Sequence, residues 1–364
     1  MARHGARDRR PAGRRQDRTL NPAALISCDP DARALAAEEL KSILADRRTL
    51  EWLDPGIALV GPVADYDDFA DRIDLAAPIF VRHLAPVDRI VELTGTEADL
   101  EILGMAADDL AGKLDPAETF AVQSRIIGTG KLPYRKYTVN EFLSTRLAAK
   151  TGAAMETKTP ALAVSVLCLP DTGYVGISRT ARNRSGWPGG MHRFKEEEGQ
   201  VSRAEHKLLE ALSVFGITLP ATGLALDLGA APGGWTRVMR QRGLKVVAVD
   251  PADLDHRIAK DDDVQHVRKS VREYVPSAAA FDVLLNDLRM DPRDSVETML
   301  RYRPALKPDG WAVMTLKMPE TPGDPAAELA EVRGNITRLQ RSFFVAGARR
   351  LYHNRSEVTV ALRG

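Results

Sequence analysis

The residues best suited to chemistry lie in a glycine-rich segment, Leu226-Asp227-Leu228-Gly229-Ala230-Ala231-Pro232-Gly233-Gly234-Trp235-Thr236. An apolar strand that runs into such a turn and then into a helix places a ligand at the carboxyl end of the strand. Glycines in the turn let the backbone approach that ligand closely, because they have no Cβ. Asp250 ends the next predicted strand, and its carboxylate can accept hydrogen bonds from both hydroxyls of a ribose. The segment therefore predicts a site for a nucleoside-containing ligand.

The glycine spacing discriminates between such ligands. Gly229 and the pair Gly233-Gly234 form the pattern G-x-x-x-G-G, which is neither the G-x-G-x-x-G of dinucleotide sites nor a phosphate loop with its lysine. A pyrophosphate also requires a full set of amides at a helix N-terminus, and Pro232 removes one donor. The pattern favours S-adenosylmethionine over NAD. A hydride-transferring enzyme with a generic nucleotide turn is the alternative.

The segment 227–236 resembles the cofactor motif of the FtsJ-like family of RNA ribose 2′-O-methyltransferases. The resemblance implies S-adenosylmethionine as the cofactor. The residues expected to bind it are Asp227, Gly229, Pro232, Gly233, Gly234, Trp235, Asp250, Ser270 and Asp287. In one place the chain departs from the family, which usually has an aspartate after the third strand to contact the adenine amine. Here Ser270 has to replace that aspartate, or Glu273 has to reach in.

The same family carries a Lys-Asp-Lys-Glu tetrad, and this chain matches each member in order. The matches are Lys207 in S-R-A-E-H-K, Asp287 in N-D-L, Lys317 in T-L-K and Glu357 in R-S-E. The resemblance implies that these four residues are catalytic.

The chemistry of such a tetrad is coherent. A ribose hydroxyl is a poor nucleophile, so its proton must be removed or strongly polarised as the oxygen attacks a methyl group. A neutral lysine can accept that proton only if its pKa falls well below about 10.4. Burial and a second cation lower a lysine pKa, whereas nearby carboxylates raise it. We therefore expect Lys207 to lie beside Lys317, with Asp287 and Glu357 orienting the two ammonium groups.

Two other methyl-transfer chemistries fit less well. Methylation of an exocyclic amine usually uses [DN]-P-P-[YF] after the fourth strand, where this chain has Asn286-Asp287-Leu288-Arg289. Methylation of a pyrimidine C5 needs a cysteine nucleophile near the site, and Cys28 and Cys168 are far from it in sequence. Their number and spacing predict neither a disulfide framework nor a metal site. We interpret both as buried thiols in a reducing compartment.

Alternating strands and helices must position these side chains. Strands are predicted at 224–228, 245–249, 281–286, 311–317, 343–349 and 356–362, and helices at 202–215, 233–242, 293–305 and 324–341. This alternation is typical of an α/β fold with a doubly wound, mostly parallel Rossmann-like sheet. Residues 200–364 are thus predicted to form the methyltransferase domain.

Two smaller α+β modules are predicted upstream. Strands near 23–28, 57–60 and 79–84 and helices at 30–46 and 97–112 indicate a ferredoxin-like module over residues 21–112. The segments F-A-V-Q-S-R-I-I, Y-T-V-N-E-F-L-S-T-R-L and Y-V-G-I-S resemble a THUMP RNA-binding domain over residues 113–195. The whole combination resembles bacterial enzymes that 2′-O-methylate a cytidine of large-subunit (23S) rRNA.

Charge is unevenly distributed along the chain, although its net charge is only +1. Residues 1–20, predicted to be a disordered basic tail, carry +5, residues 21–119 carry −13 and residues 120–193 carry +8. Only a basic block attracts a polyanion. Arginines that neutralise phosphates and rings that stack on bases suit RNA. The predicted RNA-binding residues are Arg179, Arg182, Arg184, Trp187, Arg193 and Arg203; a solvated basic linker is the alternative interpretation.

The sequence therefore predicts an S-adenosylmethionine-dependent RNA 2′-O-methyltransferase whose partner is structured RNA. Ribosomal RNA is the leading substrate. Transfer RNA is an alternative because THUMP domains are frequent on tRNA-modifying enzymes, and a non-catalytic RNA-binding or ribosome-assembly factor with the same fold is another. The chain has no run of about 18 apolar residues, no secretory signal and no metal-ligand spacing. We expect a cytoplasmic protein that uses neither membrane nor metal.

Overall fold

The computed structural model describes residues 23–364 except 45–47, 129–131, 196, 320 and 322, so the predicted basic tail lies outside the described residues. Within this part of the chain the strands form three sheets. The N-terminal unit consists of β1 (Ala23–Cys28), α1 (Arg33–Ile43), β2 (Thr49–Asp54), β3 (Ile57–Gly61), α2 (Tyr66–Ala76) and β4 (Val81–Val87). Its strands lie antiparallel in the order β2-β3-β1-β4. This β-α-β-β-α-β succession is the ferredoxin-like arrangement.

The second sheet lies in the central part of the chain. Its elements are β5 (Arg89–Glu92), α3 (Asp99–Asp108), β6 (Thr119–Ile126), α4 (Lys136–Thr151), β7 (Ala154–Met155), β8 (Leu162–Cys168) and β9 (Thr172–Arg179). The strands lie in the order β5-β9-β8-β6-β7, and β8 and β9 form the expected hairpin. Strand β5 pairs with β9, and Leu103 of α3 packs in the core of this sheet, although both elements precede residue 113. The domain limits at residues 112 and 113 stay a prediction.

The third sheet contains seven strands among the described residues. They are β10 (Gly223–Leu228), β11 (Leu244–Val249), β12 (Val264–Val267), β13 (Phe281–Asn286), β14 (Leu306–Lys317), β15 (Phe344–Arg349) and β16 (Glu357–Arg363). The helices are α5 (Ala204–Val214), α6 (Gly234–Gln241), α7 (His256–Ala259), α8 (Pro292–Tyr302) and α9 (Pro325–Leu339). The order is β12-β11-β10-β13-β14-β16-β15, with β16 antiparallel to both of its neighbours. The predicted α/β fold is confirmed.

Helices cover both faces of this sheet, as a doubly wound fold requires. On β10, Leu226 packs with the α8 and α9 side, whereas Ala225 packs with the α5 and α6 side, because successive strand residues point to opposite faces. Strands β10, β11, β13 and β14 run parallel. Their carboxyl ends therefore share one edge of the sheet, and ligands of such sheets bind at that edge, where the strand order reverses.

The N-terminal unit is joined to the third sheet by a buried arginine. Arg82 on β4 donates from Nη2 to Asp29 Oδ2 at 2.6 Å and to the carbonyl oxygen of Leu351 at 2.8 Å. Arg350 also reaches Asp29, at 3.3 Å. These contacts fix the N-terminal unit next to residues 350–357, which carry part of the candidate site described below.

The two cysteines are free and buried, as predicted. Burial raises the pKa of both thiols to about 12. No described helix has the length and apolarity needed to cross a bilayer. Within the described ranges, no group of three or more His, Cys, Asp and Glu side chains is arranged to hold a metal ion.

Candidate active site and RNA-facing residues

The four tetrad residues meet at the carboxyl edge of the third sheet. Lys207 Nζ lies 2.6 Å from Asp287 Oδ2 and 3.0 Å from Glu357 Oε1. Lys317 Nζ lies 2.7 Å from Asp287 Oδ1 and 2.8 Å from Glu357 Oε2. Each carboxylate thus bridges both ammonium groups, and the result is a closed ring of alternating charge. The juxtaposition of the four residues agrees with the expectation.

Strand register produces this ring. Lys317, the last residue of β14, lies directly opposite Glu357, the first residue of β16. Thr315 lies two residues before Lys317 and therefore on the same face of β14. Its Oγ1 donates to Asp287 Oδ1 at 2.7 Å and lies 3.0 Å from Lys317 Nζ. Sequence reasoning missed Thr315. The signal that could have found it is a polar residue two positions before the candidate lysine, Lys317, in the same strand.

The electrostatics of the ring keep Lys207 charged. Burial lowers the pKa of Lys207, but Asp287 and Glu357 more than offset this, and the net pKa is raised. Burial raises the pKa of each carboxylate, but the two lysines outweigh it and hold both pKa values below their usual range. Lys207 is therefore a stable ammonium group in this arrangement, and the carboxylates are ionised. A charged Lys207 agrees with the expectation that it is the cation beside Lys317, and the two carboxylates that contact it are the reason.

The glycine-rich turn connects β10 to α6 at the same edge. Gly229 has φ +78° and Gly233 has φ +110°, conformations that favour glycine. A Cβ on Gly229 would lie 2.6 Å from Leu288 Cδ2, and one on Gly234 would collide with Ser202 Oγ. The space that a Cβ would occupy is thus filled by protein atoms. These glycines are explained by the tight turn itself, whereas the sequence argument had attributed them to ligand approach.

Asp250 is the acidic group best placed to hold a ribose. It follows β11 and is half-buried. Its Oδ2 accepts from the amide of Ala231 at 3.1 Å, and its Oδ1 accepts from the amide of Ala252 at 2.8 Å. The amide of Ala231 belongs to the glycine-rich turn, so the turn orients this carboxylate. Each oxygen retains a lone pair for a further hydrogen bond.

Three other predicted cofactor residues form hydrogen bonds within the protein, Asp227 and Trp235 through their side chains and Ser270 through its backbone amide. Asp227 accepts from Thr236 Oγ1 at 2.7 Å, and its burial raises its pKa to about 7. The indole of Trp235 is buried and donates to the carbonyl oxygen of Ala204 at 2.8 Å. The amide of Ser270 donates to Glu273 Oε2 at 3.0 Å. The side chains of Asp227 and Trp235 therefore support the turn from within the core, while Ser270 begins a local turn closed by Glu273.

A cavity of about 1200 Å³ opens over the tetrad. On the α5 side it is lined by Arg203, His206 and Lys207, and on the α9 side by Val332 and Asn335. Residues from both sides reach it because it passes over the carboxyl edge of the sheet. The second lysine, Lys317, and Glu357 also line it. The tetrad therefore faces a space large enough for a macromolecular substrate to enter.

The predicted RNA-binding arginines divide into two sets. The first set pairs with acidic residues of the protein. Arg179 contacts Glu118 at 2.7 Å, Arg182 pairs with Asp67 and Asp71 of α2, and Arg184 contacts Asp74 at 2.9 Å. The side chain of Arg184 is only 2% exposed and also donates to the carbonyl oxygen of Pro78. Arg184 is thus an internal contact between two units, and the structure does not support it as a phosphate ligand.

The second set faces outward. Arg193 and Arg203 are exposed, and Arg203 lines the cavity. Trp187 is 38% exposed, and its ring lies 5.3 Å from that of His192.

A row of rings continues from Trp187 to the cavity wall. His192 lies 6.3 Å from Phe194, and Phe194 lies 5.5 Å from His353, which lines the cavity. Burial, aided by His206, lowers the pKa of His353 to about 4, so its ring is neutral near pH 7. The rings therefore form a row from the basic segment to the cavity, and Arg203, which has no side-chain partner among the described residues, lines that cavity.

Comparisons with known proteins agree with this geometry. Residues 200–307 match the FtsJ-like methyltransferase family, which confirms the resemblance seen in the sequence. The ribosomal RNA large subunit methyltransferase M of Serratia proteamaculans is 30% identical over 321 residues, which are 82% of this chain and 83% of that protein. Its counterpart from Halorhodospira halophila is 35% identical over 186 residues, which are 50% of this chain and 52% of that protein. In the latter match the chain spans about half the length of its relative.

The solved structures that match the chain are more distant from it. TrmN from Thermus thermophilus aligns with 94% of this chain and 99% of its own, at 17% identity and a TM-score of 0.41. A fibrillarin/Nop5p complex aligns with 48% of this chain and 91% of its own, at 14% identity and a TM-score of 0.38.

Proposed function

Because the chain belongs to the family of the ribosomal RNA large subunit methyltransferase M, we propose that it methylates a ribose 2′-hydroxyl of large-subunit (23S) ribosomal RNA with S-adenosylmethionine as the methyl donor. The observation that carries this proposal is the closed ring of Lys207, Asp287, Lys317 and Glu357 inside a large cavity. Such a ring can orient a neutral hydroxyl through its hydrogen bonds, and it can take up the hydroxyl proton once one of its two lysines has released a proton to solvent.

The residues at the sheet edge fit an adenosyl group. Asp250 presents a carboxylate that two backbone amides hold in place, with lone pairs left for both ribose hydroxyls. Asp250, Gly229 and Asp287 follow the neighbouring strands β11, β10 and β13 in that order. A ligand bound at Asp250 and the glycine-rich turn would therefore lie next to the tetrad. We propose that Asp250 binds the ribose and that Ser270 or Glu273 faces the adenine. Bound there, S-adenosylmethionine supplies an electrophilic methyl group on a positively charged sulfur.

The four tetrad residues have different proposed roles. Lys317 first releases one proton to solvent, and its neutral amine then accepts the proton of the 2′-hydroxyl as the oxygen–carbon bond forms and the bond between the methyl carbon and sulfur breaks. Asp287 holds Lys317 from one side and Glu357 holds it from the other, and Thr315 fixes the same Asp287 oxygen. Lys207, whose pKa is raised, stays charged and keeps both carboxylates ionised and in position. The alignment of oxygen and methyl group, rather than strong basicity, then supplies most of the rate acceleration.

We propose that RNA enters along the exposed groups of the second set. Arg193, Trp187 and Arg203 lie on or near the path to the cavity, and the unit that contains β6, α4, β8 and β9 acts as the THUMP-like docking module. The family assignment favours ribosomal over transfer RNA, and the intact tetrad favours an enzyme over a non-catalytic assembly factor. The proposed site of action is the cytoplasm, where ribosomal RNA is available.

Ribose methylation of RNA is the direct test. Total RNA from cells with and without the gene is digested, and 2′-O-methylated nucleotides are mapped by mass spectrometry. We expect one large-subunit position to lose its methyl group, and purified protein with S-adenosylmethionine to restore it on RNA from the deletion strain. Loss of a methyl group from transfer RNA instead would establish the alternative substrate. An unchanged methylation map, together with no transfer in vitro, would contradict the enzymatic function.

A further inference from the structure

One buried carboxylate close to the tetrad is not used by the proposed mechanism. Glu210 lies on α5 and is only 1% exposed. Its Oε1 accepts from the amide of Tyr352 and its Oε2 accepts from the amide of His353, both at 2.8 Å. These two amides begin the segment 352–357, every residue of which lines the cavity over the tetrad. Glu210 therefore joins α5 to one wall of that cavity.

A carboxylate is the side-chain group that suits this position. Two successive amides present two donors, and a carboxylate provides two acceptor oxygens, whereas a glutamine provides one acceptor and directs its NH2 group at the other N–H. Burial disfavours the charge and raises the pKa of Glu210 to about 7, although the two amides act in the opposite direction. An apolar residue would avoid this penalty but would leave the two amides without these acceptors. The contact with the segment therefore explains the acidic residue.

Both partners in this contact carry a residue of the tetrad. Lys207 precedes Glu210 by three residues and therefore lies about one helical turn away on α5. Glu357 ends the segment 352–357, and its Oε1 lies 3.0 Å from Lys207 Nζ. The same helix is thus tied to the same segment twice, once by Glu210 through backbone amides and once by Lys207 through the carboxylate of Glu357.

The segment transmits the position of the Glu210 contact to Glu357. Asn354 closes the segment into a turn, because its Oδ1 accepts from the amide of Leu351 at 2.7 Å and its Nδ2 donates to Thr359 Oγ1 on β16 at 2.9 Å. Glu357 begins the same strand. Loss of the Glu210 contact would therefore shift the turn and Glu357 together. A misplacement of about 1 Å at a catalytic site can lower a rate by about 10²-fold.

We propose that Glu210 is a positioning residue for methyl transfer, which holds the segment 352–357 so that Glu357 meets Lys207 and Lys317 in the ring. This inference rests on the proposed function. Glu210 is buried behind the cavity wall, so it acts through Glu357 and does not contact the substrate. The alternative is a purely structural contact, which would stabilise the fold without a specific effect on the chemical step.

The test measures whether Glu210 acts through Glu357. Methyl transfer to ribosomal RNA that lacks the modification is measured for the wild type, Glu210→Gln, Glu357→Gln and the double variant. Single-turnover conditions give the rate of the chemical step, and steady-state conditions give KM for RNA. S-adenosylmethionine affinity is measured by calorimetry and stability by chemical denaturation. Glu210→Asp keeps both acceptors on a shorter side chain and replaces Glu210→Gln in the same comparison if the latter does not fold.

The matched control is Asp99→Asn. Asp99 is also fully buried, and it accepts from two successive amides, those of Thr94 at 2.6 Å and Gly95 at 3.1 Å. It lies on α3, whose Leu103 packs in the core of the second sheet, away from the tetrad. The control therefore removes the same kind of contact without a connection to Glu357.

We expect Glu210→Gln to lower the single-turnover rate by about tenfold, with KM for RNA and cofactor affinity unchanged, because the ring is displaced while the binding surfaces remain. In the Glu357→Gln background the same substitution should lower the rate by less than about threefold, since residues that act as a unit are not additive. Asp99→Asn should lower the resistance to denaturant without lowering the rate.

Two results would overturn the positioning role of Glu210. One is a wild-type single-turnover rate in Glu210→Gln, and the other is an equal loss of rate with and without the carboxylate of Glu357. Neither result affects the proposed function. A wild type that methylates no RNA would instead contradict the proposed function, and with it the mechanism on which the role of Glu210 depends.

Discussion

The tetrad and the arginine segment 179–184 are built from the same kinds of contact but differ in what those contacts leave accessible. In the tetrad each carboxylate bridges two lysines, and Lys207 and Lys317 keep 14% and 21% of their side chains exposed to a cavity. In the segment, Arg182 and Arg184 pair with aspartates of α2, and Arg184 is 2% exposed. One cluster faces a space that a substrate can enter, and the other holds two units of the protein together.

This difference teaches that charge alone does not identify a binding surface. A cation attracts RNA only if its own protein has not already supplied a carboxylate and covered it. The acidic block 21–119 supplies such carboxylates to the basic block 120–193, so part of the charge asymmetry of the chain is internal complementarity. The lysines of the tetrad also contact carboxylates, but each carboxylate is shared by both lysines, and both lysines line the cavity.

The largest expected effect is the loss of catalysis when Lys317 is replaced. Lys317→Ala should lower single-turnover methylation by about 10²- to 10⁴-fold, the usual contribution of a general base. Lys317→Arg should be nearly as damaging, because a guanidinium group cannot release its proton and directs its donors differently. The measurement is methyl transfer to ribosomal RNA that lacks the modification. Cofactor affinity from calorimetry is the control and should be unchanged. Wild-type activity in Lys317→Ala would remove this residue from the mechanism.

The second effect concerns stability rather than catalysis. Arg184→Ala should lower the free energy of unfolding by about 2–3 kcal/mol, because a buried guanidinium loses its bonds to Asp74 and to two carbonyl oxygens. Chemical denaturation followed by circular dichroism measures this change. The matched control is Arg179→Ala. The side chain of Arg179 is 60% exposed and pairs with Glu118 near the surface, so no clear change in the free energy of unfolding is expected. Equal stability of Arg184→Ala and the wild type would show that the α2 contact is not structural.

The tetrad and the arginine segment also differ in how well the sequence predicted their contacts. The tetrad was predictable because its four residues match the motif of a known family in order, one on a helix and three at strand ends. The backbone register of β14 and β16 then pairs Lys317 with Glu357. The ion pairs of Arg182 and Arg184 with aspartates of α2 were not predicted, because the sequence analysis did not predict α2. Phe69, Ala70 and Ile73 form its buried face, but aspartates surround them in the sequence and hide the helical period. Strand β12 was missed because it has only four residues, V-Q-H-V, and none is fully buried.

The third effect concerns the affinity for S-adenosylmethionine. Asp250→Ala should weaken S-adenosylmethionine binding by about 1.5–3 kcal/mol, the range for hydrogen bonds to a charged group. Titration calorimetry provides the affinity. Asp253→Ala is the control, since Asp253 is three residues away, 76% exposed and paired with Arg268 rather than with the turn. Unchanged affinity in Asp250→Ala would assign the ribose contact to another residue.

The smallest effect is on the salt dependence of RNA binding, and it should distinguish exposed Arg193 from Arg182, which is paired with aspartates. Arg193 is exposed and has no hydrogen-bond or ion-pair partner among the described residues, so we expect it to contact a phosphate and to release a counterion when RNA binds. Arg193→Ala should weaken binding of a ribosomal RNA fragment and reduce the slope of log K against log salt by about 1. Arg182→Ala should change that slope much less, because Asp67 and Asp71 already neutralise the guanidinium. Binding is followed by fluorescence anisotropy over a salt series, with calorimetric cofactor affinity as the check that the fold is intact. A slope change for Arg182→Ala as large as that for Arg193→Ala would show that the α2 pairing opens when RNA binds, and the basic segment would then be a docking surface despite its internal contacts.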